Sequence, residues 1–498
     1  MSQAKPEQER EAWTSVSVPL ASCGNQAGLD PAFSSSHECN EEATYRRGVS
    51  LMSLGFLGVF GGFQAAQGLQ TSLNATLGGL NLTCLYGTFT LLCLVAPPLL
   101  SSLEKVLGMR LLLLLCSLPY VAMALSNVIP MPAEPSSMWA VPMAMNVLVG
   151  VAAPLLWTSQ NAYLSRCATH AAAVQAESAE ALGHWRSTMT TRYNSLFFSI
   201  YMFSGLAGNV IASLILIALG DSQTAKNVLF VTLSLMSLCG ALIFLAMPVV
   251  PDASASDAMQ PSLSDTGHLA FTDAKTGLMI PLMVTNGMCL AAFFGDFQTD
   301  VTCPVAGPEY SGFVIATFFG VNSFVSFAWG KIIPGFMSRR TAYILTSGLI
   351  GVYLVVKLLW KAPQNWVLPE GSTTWERKEA TGFGDICTIF ALAAVFAGGD
   401  SFFEAGPPMT LQTFYAGTDK VVAAMANYKL WQSLGFAVQF FIGVALKDHP
   451  QVRGGLLLAL LGLSLLCVMI LDRCVASVDS GTSGRAIGGL TETPSSTA

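Results

Sequence analysis

Apolar runs long enough to cross a bilayer recur twelve times in this 498-residue chain, and that recurrence constrains the fold more than any single motif. The runs cover residues 48–73, 82–103, 109–130, 138–165, 192–219, 227–250, 277–296, 309–335, 341–360, 385–414, 421–446 and 453–472. A membrane-crossing helix needs about 20 mostly apolar residues. Only 11% of the residues are Asp, Glu, Lys or Arg, against roughly 25% in an average soluble domain. So few charges cannot clothe a soluble exterior at this length. The composition excludes a secreted domain, a nucleic-acid binder and most soluble enzymes, and it makes the lipid bilayer the first partner of the chain. The expected fold is an all-α membrane bundle of twelve transmembrane helices.

The segment 251–276 is rich in Asp, Ser and Pro and lacks an apolar run, so it reads as a linker between six spans (45–250) and six spans (277–473). Residues 1–44 and 474–498 read as disordered tails, the first polar and without the apolar core of a signal peptide. Placing the N-terminus in the cytosol and alternating sides puts 17 of the 24 Lys and Arg on the cytosolic face, which the positive-inside rule favours, and puts both termini there. The two N-glycosylation sequons, at Asn74 and Asn81, then fall in the first loop on the other side and are candidate modification sites. A weak internal repeat accompanies the division. Phe60-Gly61-Gly62-Phe63-Gln64 in span 1 resembles Phe294-Gly295-Asp296-Phe297-Gln298 in span 7, at an offset of 234 residues, as a duplicated six-helix unit requires.

Charge inside the membrane is costly and marks candidate function. By these boundaries only spans 10 and 11 carry it, as Asp400 and Glu404 in one and Lys429 in the other. Asp400 and Glu404 are four apart and share a helix face. Glu404 and Lys429 each lie roughly 12–15 Å from the same end of their helices, so an ion pair of Lys429 with either acid is geometrically allowed. These charges serve either as a gating latch or a proton or cation site, or as a structural ion pair locking two helices, or Lys429 snorkels to the cytosolic surface. Span 10 continues into Gly406-Pro407-Pro408, where proline frees backbone carbonyls toward a cavity or a neighbouring helix. In span 1, Gln64, Gln67 and Gln70 form a polar stripe, and span 4 carries Gln160 and Asn161. Gln64, Gln67, Gln160 and Asn161 are candidates to line a cavity, with interhelical hydrogen bonding the alternative. Asp296, Asp300 and Glu309 read as solvated loop charges. None of the 12 Cys forms a C-x-x-C pair or a Cys/His cluster, so no metal site or disulfide framework is indicated. There is no P-loop, G-x-S-x-G or H-E-x-x-H, so no cofactor and no enzymatic activity are expected.

Four segments carry a family resemblance: Phe56–Leu73, Gly150–Leu164, Phe197–Ser213 and Ala424–Phe436. In these the chain resembles the Unc-93 family, a divergent branch of the major facilitator superfamily, across about residues 45–473. Lys429 stands where that family usually has arginine, and Asp400 looks like the family's aspartate in span 10. Two features depart from the pattern. Residues 402–409 read FFEAGPPM, which makes Glu404 peculiar to this chain, and the superfamily loop signature between spans 2 and 3 survives only in part at Glu104–Arg110. The resemblance implies a major-facilitator-like bundle in two six-helix halves. It also implies a regulator or trafficking partner of an ion channel or receptor, with potassium flux the leading candidate, and facilitator-type transport of a small solute or ion as the alternative.

Overall fold

The computed structural model describes residues 34–487, apart from 177, 221, 252–262, 337, 370 and 416–419. Most of the expected linker and the outer parts of both expected tails therefore lie outside the described residues. The chain is almost entirely helical: α1 Ser34–Leu73, α2 Ala75–Cys93, α3 Ala96–Ser126, α4 Ala140–Gln175, α5 Ala179–Tyr201, α6 Phe203–Leu219, α7 Gln223–Ile243, α8 Leu263–Thr272, α9 Ala274–Ala292, α10 Cys303–Ala306, α11 Pro308–Phe336, α12 Arg339–Leu359, α13 Phe383–Tyr415, α14 Val421–Ala445 and α15 Pro450–Ile487. Eleven stretches of the described residues are long and apolar enough to cross a membrane. The twelfth crossing, α14, falls below that threshold because Asn427, Lys429, Gln432 and Gln439 interrupt its apolar residues. A two-stranded ladder, β1 Trp366–Val367 with β2 Glu376–Arg377, lies between α12 and α13. Twelve is an even number, so α1 begins and α15 ends on one side, called here the terminal side.

Several boundaries move for physical reasons. α1 starts at Ser34, inside the segment read as a tail, and Glu42 on this extension accepts hydrogen bonds from Gln175 at 2.9 Å and Arg192 at 3.1 Å. α15 likewise runs past 473 to Ile487, and the ten-residue α8 occupies part of the expected linker. The expected span 82–103 is broken at Leu94–Val95, because Pro97 and Pro98 occupy the first turn of α3, where their missing N–H costs nothing. Gly108 then turns the chain within α3 at φ 73°, ψ 156°, a conformation a side chain would strain. α5 and α6 join through Met202 into one crossing. Span 7 is longer than expected. After α9 it continues as a π-helical segment, Phe293–Thr302, and then α10. Pro304 sits in the first turn of α10, where its missing N–H costs nothing.

Each half packs around aromatic side chains. Phe56, Phe60, Trp157, Phe197 and Tyr201 meet at centroid distances of 5.2–5.7 Å in the N-terminal half. Phe293, Phe318, Tyr353 and Phe396 meet at 4.8–5.6 Å in the C-terminal half. Such pairs add about 0.5–1.5 kcal/mol each beyond their burial. Small residues set the helix spacing. A Cβ on Gly208 of α6 would lie 1.9 Å from the Gly61 carbonyl oxygen of α1, so no side chain fits there. The halves meet along two seams, α2 with α14 and α6 with α11. On the first, Tyr86 stacks on Phe436 at 4.4 Å and the Thr90 hydroxyl donates to Ser433 at 2.9 Å. Outward faces carry exposed Leu214, Ile217, Leu235, Val352 and Leu466, as a lipid-facing surface requires.

Candidate functional site

The intramembrane acid Asp400 on α13 is 0% exposed, and both its carboxylate oxygens are occupied. Oδ1 accepts from Asn286 Nδ2 of α9 at 3.2 Å and Oδ2 from Asn322 Nδ2 of α11 at 2.9 Å. Asn286 Oδ1 in turn accepts from Gln432 Nε2 of α14 at 2.6 Å, and Gln432 Oε1 accepts from Lys429 Nζ at 2.9 Å. Ser326 completes the other end by donating to Asn322 Oδ1 at 3.1 Å. The allowed ion pair between Lys429 and Asp400 or Glu404 is not formed. Two amides stand between Lys429 and Asp400, so the acid and the base are linked by neutral groups that bind four helices of the C-terminal half together.

Lys429 projects toward the other half. Its ammonium lies 4.8 Å from the Tyr428 ring centroid and 5.8 Å from that of Trp157 on α4, a cation–π arrangement that partly replaces lost water. Of its three donors, one is used by Gln432. Glu404 is half-buried near the same point. Its backbone carbonyl accepts from the Tyr428 hydroxyl at 3.1 Å. That bond follows from the sequence: Pro408 has no N–H to return to the carbonyl four residues earlier, and the freed oxygen turns to α14. α13 runs through both prolines without a break. Among the described residues the Glu404 carboxylate makes no hydrogen bond or ion pair; Lys429 of the same half and Tyr86 and Tyr201 of the other half lie within range of its charge.

The glutamine stripe of α1 is used internally. Gln64 donates to the Tyr201 hydroxyl at 3.2 Å and accepts from Ser204 at 3.0 Å, while Gln67 accepts from the Tyr86 hydroxyl at 3.0 Å. Both therefore orient tyrosines that face Glu404. Gln160 is buried, and among the described residues its Nε2 has no hydrogen-bond partner. Asn161 is exposed, one turn beyond Trp157, to whose carbonyl it donates at 3.1 Å.

Both sequon asparagines are engaged by their surroundings. Asn81 is 1% exposed and donates to Gln70 Oε1 at 3.0 Å. Asn74 caps α2 by accepting from the Leu77 amide at 3.0 Å, and its Nδ2 is buried. Neither nitrogen has room for a glycan in the folded chain. Digestion of the expressed protein with an N-glycosidase is expected to leave its electrophoretic mobility unchanged; a downward shift would show that at least one sequon is released from this packing.

A second charged cluster escaped the sequence reading. Asp296 is not a loop charge: it is 6% exposed within the π-helical segment, accepting from Arg453 Nη1 at 2.5 Å and Gln439 Nε2 at 2.7 Å. Arg453, 3% exposed, also donates to Asp300 at 3.0 and 3.1 Å, and Lys357 pairs with Asp300 at 3.3 Å. Two acids and two bases thus close a neutral group on the side opposite the termini. On the terminal side, Glu104 of the degraded loop signature pairs through both oxygens with Arg166 of α4.

This architecture, two six-helix halves around intramembrane polar groups, defines a protein of major facilitator fold. A solved D-xylose-proton symporter superposes with a TM-score of 0.57 at 12% identity, covering 86% of this chain and 97% of that one. No family model matches the chain. Among curated proteins, it is 25% identical over 444 residues to Protein unc-93 homolog A of Bos taurus, covering 80% of this chain and 89% of the relative. It is 23% identical over 447 residues to the "Putative potassium channel regulatory protein unc-93" of Caenorhabditis elegans, covering 81% of this chain and 57% of that protein. The chain is Unc-93-like along four fifths of its length.

Proposed function

We propose that this protein is a non-enzymatic regulator or escort of another membrane protein, with a potassium channel as the partner class. The enclosure of Asp400 carries this reading. A transport acid must meet solute or water during the cycle, whereas here both carboxylate oxygens are held by asparagines inside the helix packing. The name of the nematode relative supports the partner class. In this reading both termini are cytosolic, residues 45–250 and 277–473 are the two halves joined by 251–276, and the membrane is the plasma membrane or an endomembrane. Affinity purification from native membranes followed by mass spectrometry is expected to recover a channel, and the protein alone in liposomes is expected to move no solute. Solute-dependent flux abolished by Asp400→Asn would overturn the proposal.

One observation favours facilitator-type transport as a second reading. Among the described residues Lys429 has spare donors and the Glu404 carboxylate has no hydrogen bond, at the point where the halves face each other. Under that reading Lys429→Gln and Glu404→Gln each abolish flux in liposomes. Under the regulatory reading there is no flux to lose.

A further inference from the structure

The 360–382 connection between α12 and α13 belongs to the C-terminal half but is bonded to both. Its base is tied to its own half at one oxygen: the Val305 carbonyl accepts from Asn365 Nδ2 at 3.1 Å and from the Thr381 hydroxyl at 2.9 Å. The Asn365 carbonyl takes the Lys378 and Glu379 amides at 2.8 and 3.2 Å, and the β1–β2 ladder stiffens the rest. From this base the tip crosses the seam. Trp375 Nε1 donates to the Ser72 carbonyl at the end of α1, at 2.8 Å, and the Thr373 carbonyl accepts from Lys226 Nζ at the start of α7, at 3.2 Å. Directly beneath, Ser72 and Ser311 share a hydrogen bond of 2.9 Å between the halves, and the Thr71 hydroxyl donates to the Phe294 carbonyl at 3.1 Å.

We propose that the described residues 362–369 and 371–382 form a strap that holds the two halves shut on the side opposite the termini, so that any parting of the halves there must first lift Trp375 from Ser72 and Thr373 from Lys226. The chemistry fits a releasable closure. A Ser72 carbonyl at a helix end has no intrahelical donor, so the indole satisfies a group that otherwise needs water. The contacts described here are single bonds between neutral groups and a lysine on a carbonyl, each worth little alone and effective as a set. The strap does not rest on the regulatory reading; a regulator would be held in one conformation by it, and a transporter would be gated by it.

The test uses the full-length protein carrying Ser311→Cys as a buried reporter in every variant and in the reference, so that the weakening of the Ser72–Ser311 bond is common to all rates compared. Maleimide modification at position 311 is followed by peptide mass spectrometry, which separates it from the native cysteines; Cys167, buried in the N-terminal half, serves as the internal control. With the strap intact, position 311 is expected to react slowly. Trp375→Ala and Lys226→Ala should each accelerate it about tenfold, as loss of one closing contact implies. Trp375→Phe, which keeps the ring and loses the donor, should fall between. Lys378→Ala, on the exposed edge of the hairpin, should change nothing. The proposal fails if position 311 is already fully reactive with the strap intact, or if neither Trp375→Ala nor Lys226→Ala alters its rate. It fails also if Cys167 accelerates in step with position 311, since the half itself would then have loosened.

Discussion

Arg453→Ala is expected to destabilise the folded protein by about 3–5 kcal/mol, the range for removing one partner of a buried ion pair. The reason lies in the neighbours left behind. Asp296 has Arg453 as its direct ion-pair partner, and in its absence keeps the neutral Gln439 amide and only the indirect charge of Lys357, which pairs with Asp300. Asp300 would retain Lys357 at 3.3 Å. The loss is therefore asymmetric, and the Arg453→Ala penalty should shrink when Asp296→Asn is added, because the stranded charge is gone. Arg453→Lys should recover only part of the stability, since an ammonium cannot fork between two carboxylates as the guanidinium does. Apparent melting temperatures of the detergent-purified variants check the series. If Arg453→Ala melted with the wild type, or if adding Asp296→Asn made matters worse, the cluster would not be an uncompensated-charge problem.

Asp400→Ala carries the second large effect, about 2–6 kcal/mol, from two buried amide donors left without an acceptor at roughly 1–3 kcal/mol each. Asn286 and Asn322 each lose the oxygen that faces them, while the Gln432 and Ser326 bonds behind them persist. Asp400→Asn should cost less, because its remaining carbonyl oxygen still accepts one of the two bonds. Asp400→Leu should be at least as damaging as alanine despite its apolar character, since it adds volume and no acceptor. The folded yield by size-exclusion chromatography and the melting temperature both read this out. Equal stability of Asp400→Ala and Asp400→Asn would mean that the asparagines rearrange freely and the network is not what holds α9, α11, α13 and α14 together.

The twelve crossings were legible because apolar length is a local property, written into each segment without reference to its neighbours. The freed carbonyl of Glu404 was legible for the same reason, as proline chemistry acts four residues away. What was not legible depends on partners distant in sequence. A lysine and two acids on adjacent spans suggest direct pairing; the structure instead interposes Gln432 and Asn286, uncharged residues that nothing in their own segments marks as partners of the charges. Asp296 and Asp300 were set outside the membrane because charge ends an apolar run, whereas Arg453 meets them from 157 and 153 residues away. One signal could have found this. The repeat aligns Asp296 with Gly62, well inside span 1, and so places the acid within the bundle. The sequons illustrate the opposite case: their pattern was clear, and only packing against Gln70 and the cap on Leu77 reveals that their nitrogens are enclosed.

The indole of Trp375 and the carbonyl of Ser72 are 303 positions apart in the chain. During synthesis, the first membrane helix therefore waits for its finishing bond until most of the polypeptide has left the ribosome. Until then the Ser72 carbonyl, at a helix end with no intrahelical donor, has only solvent to bond.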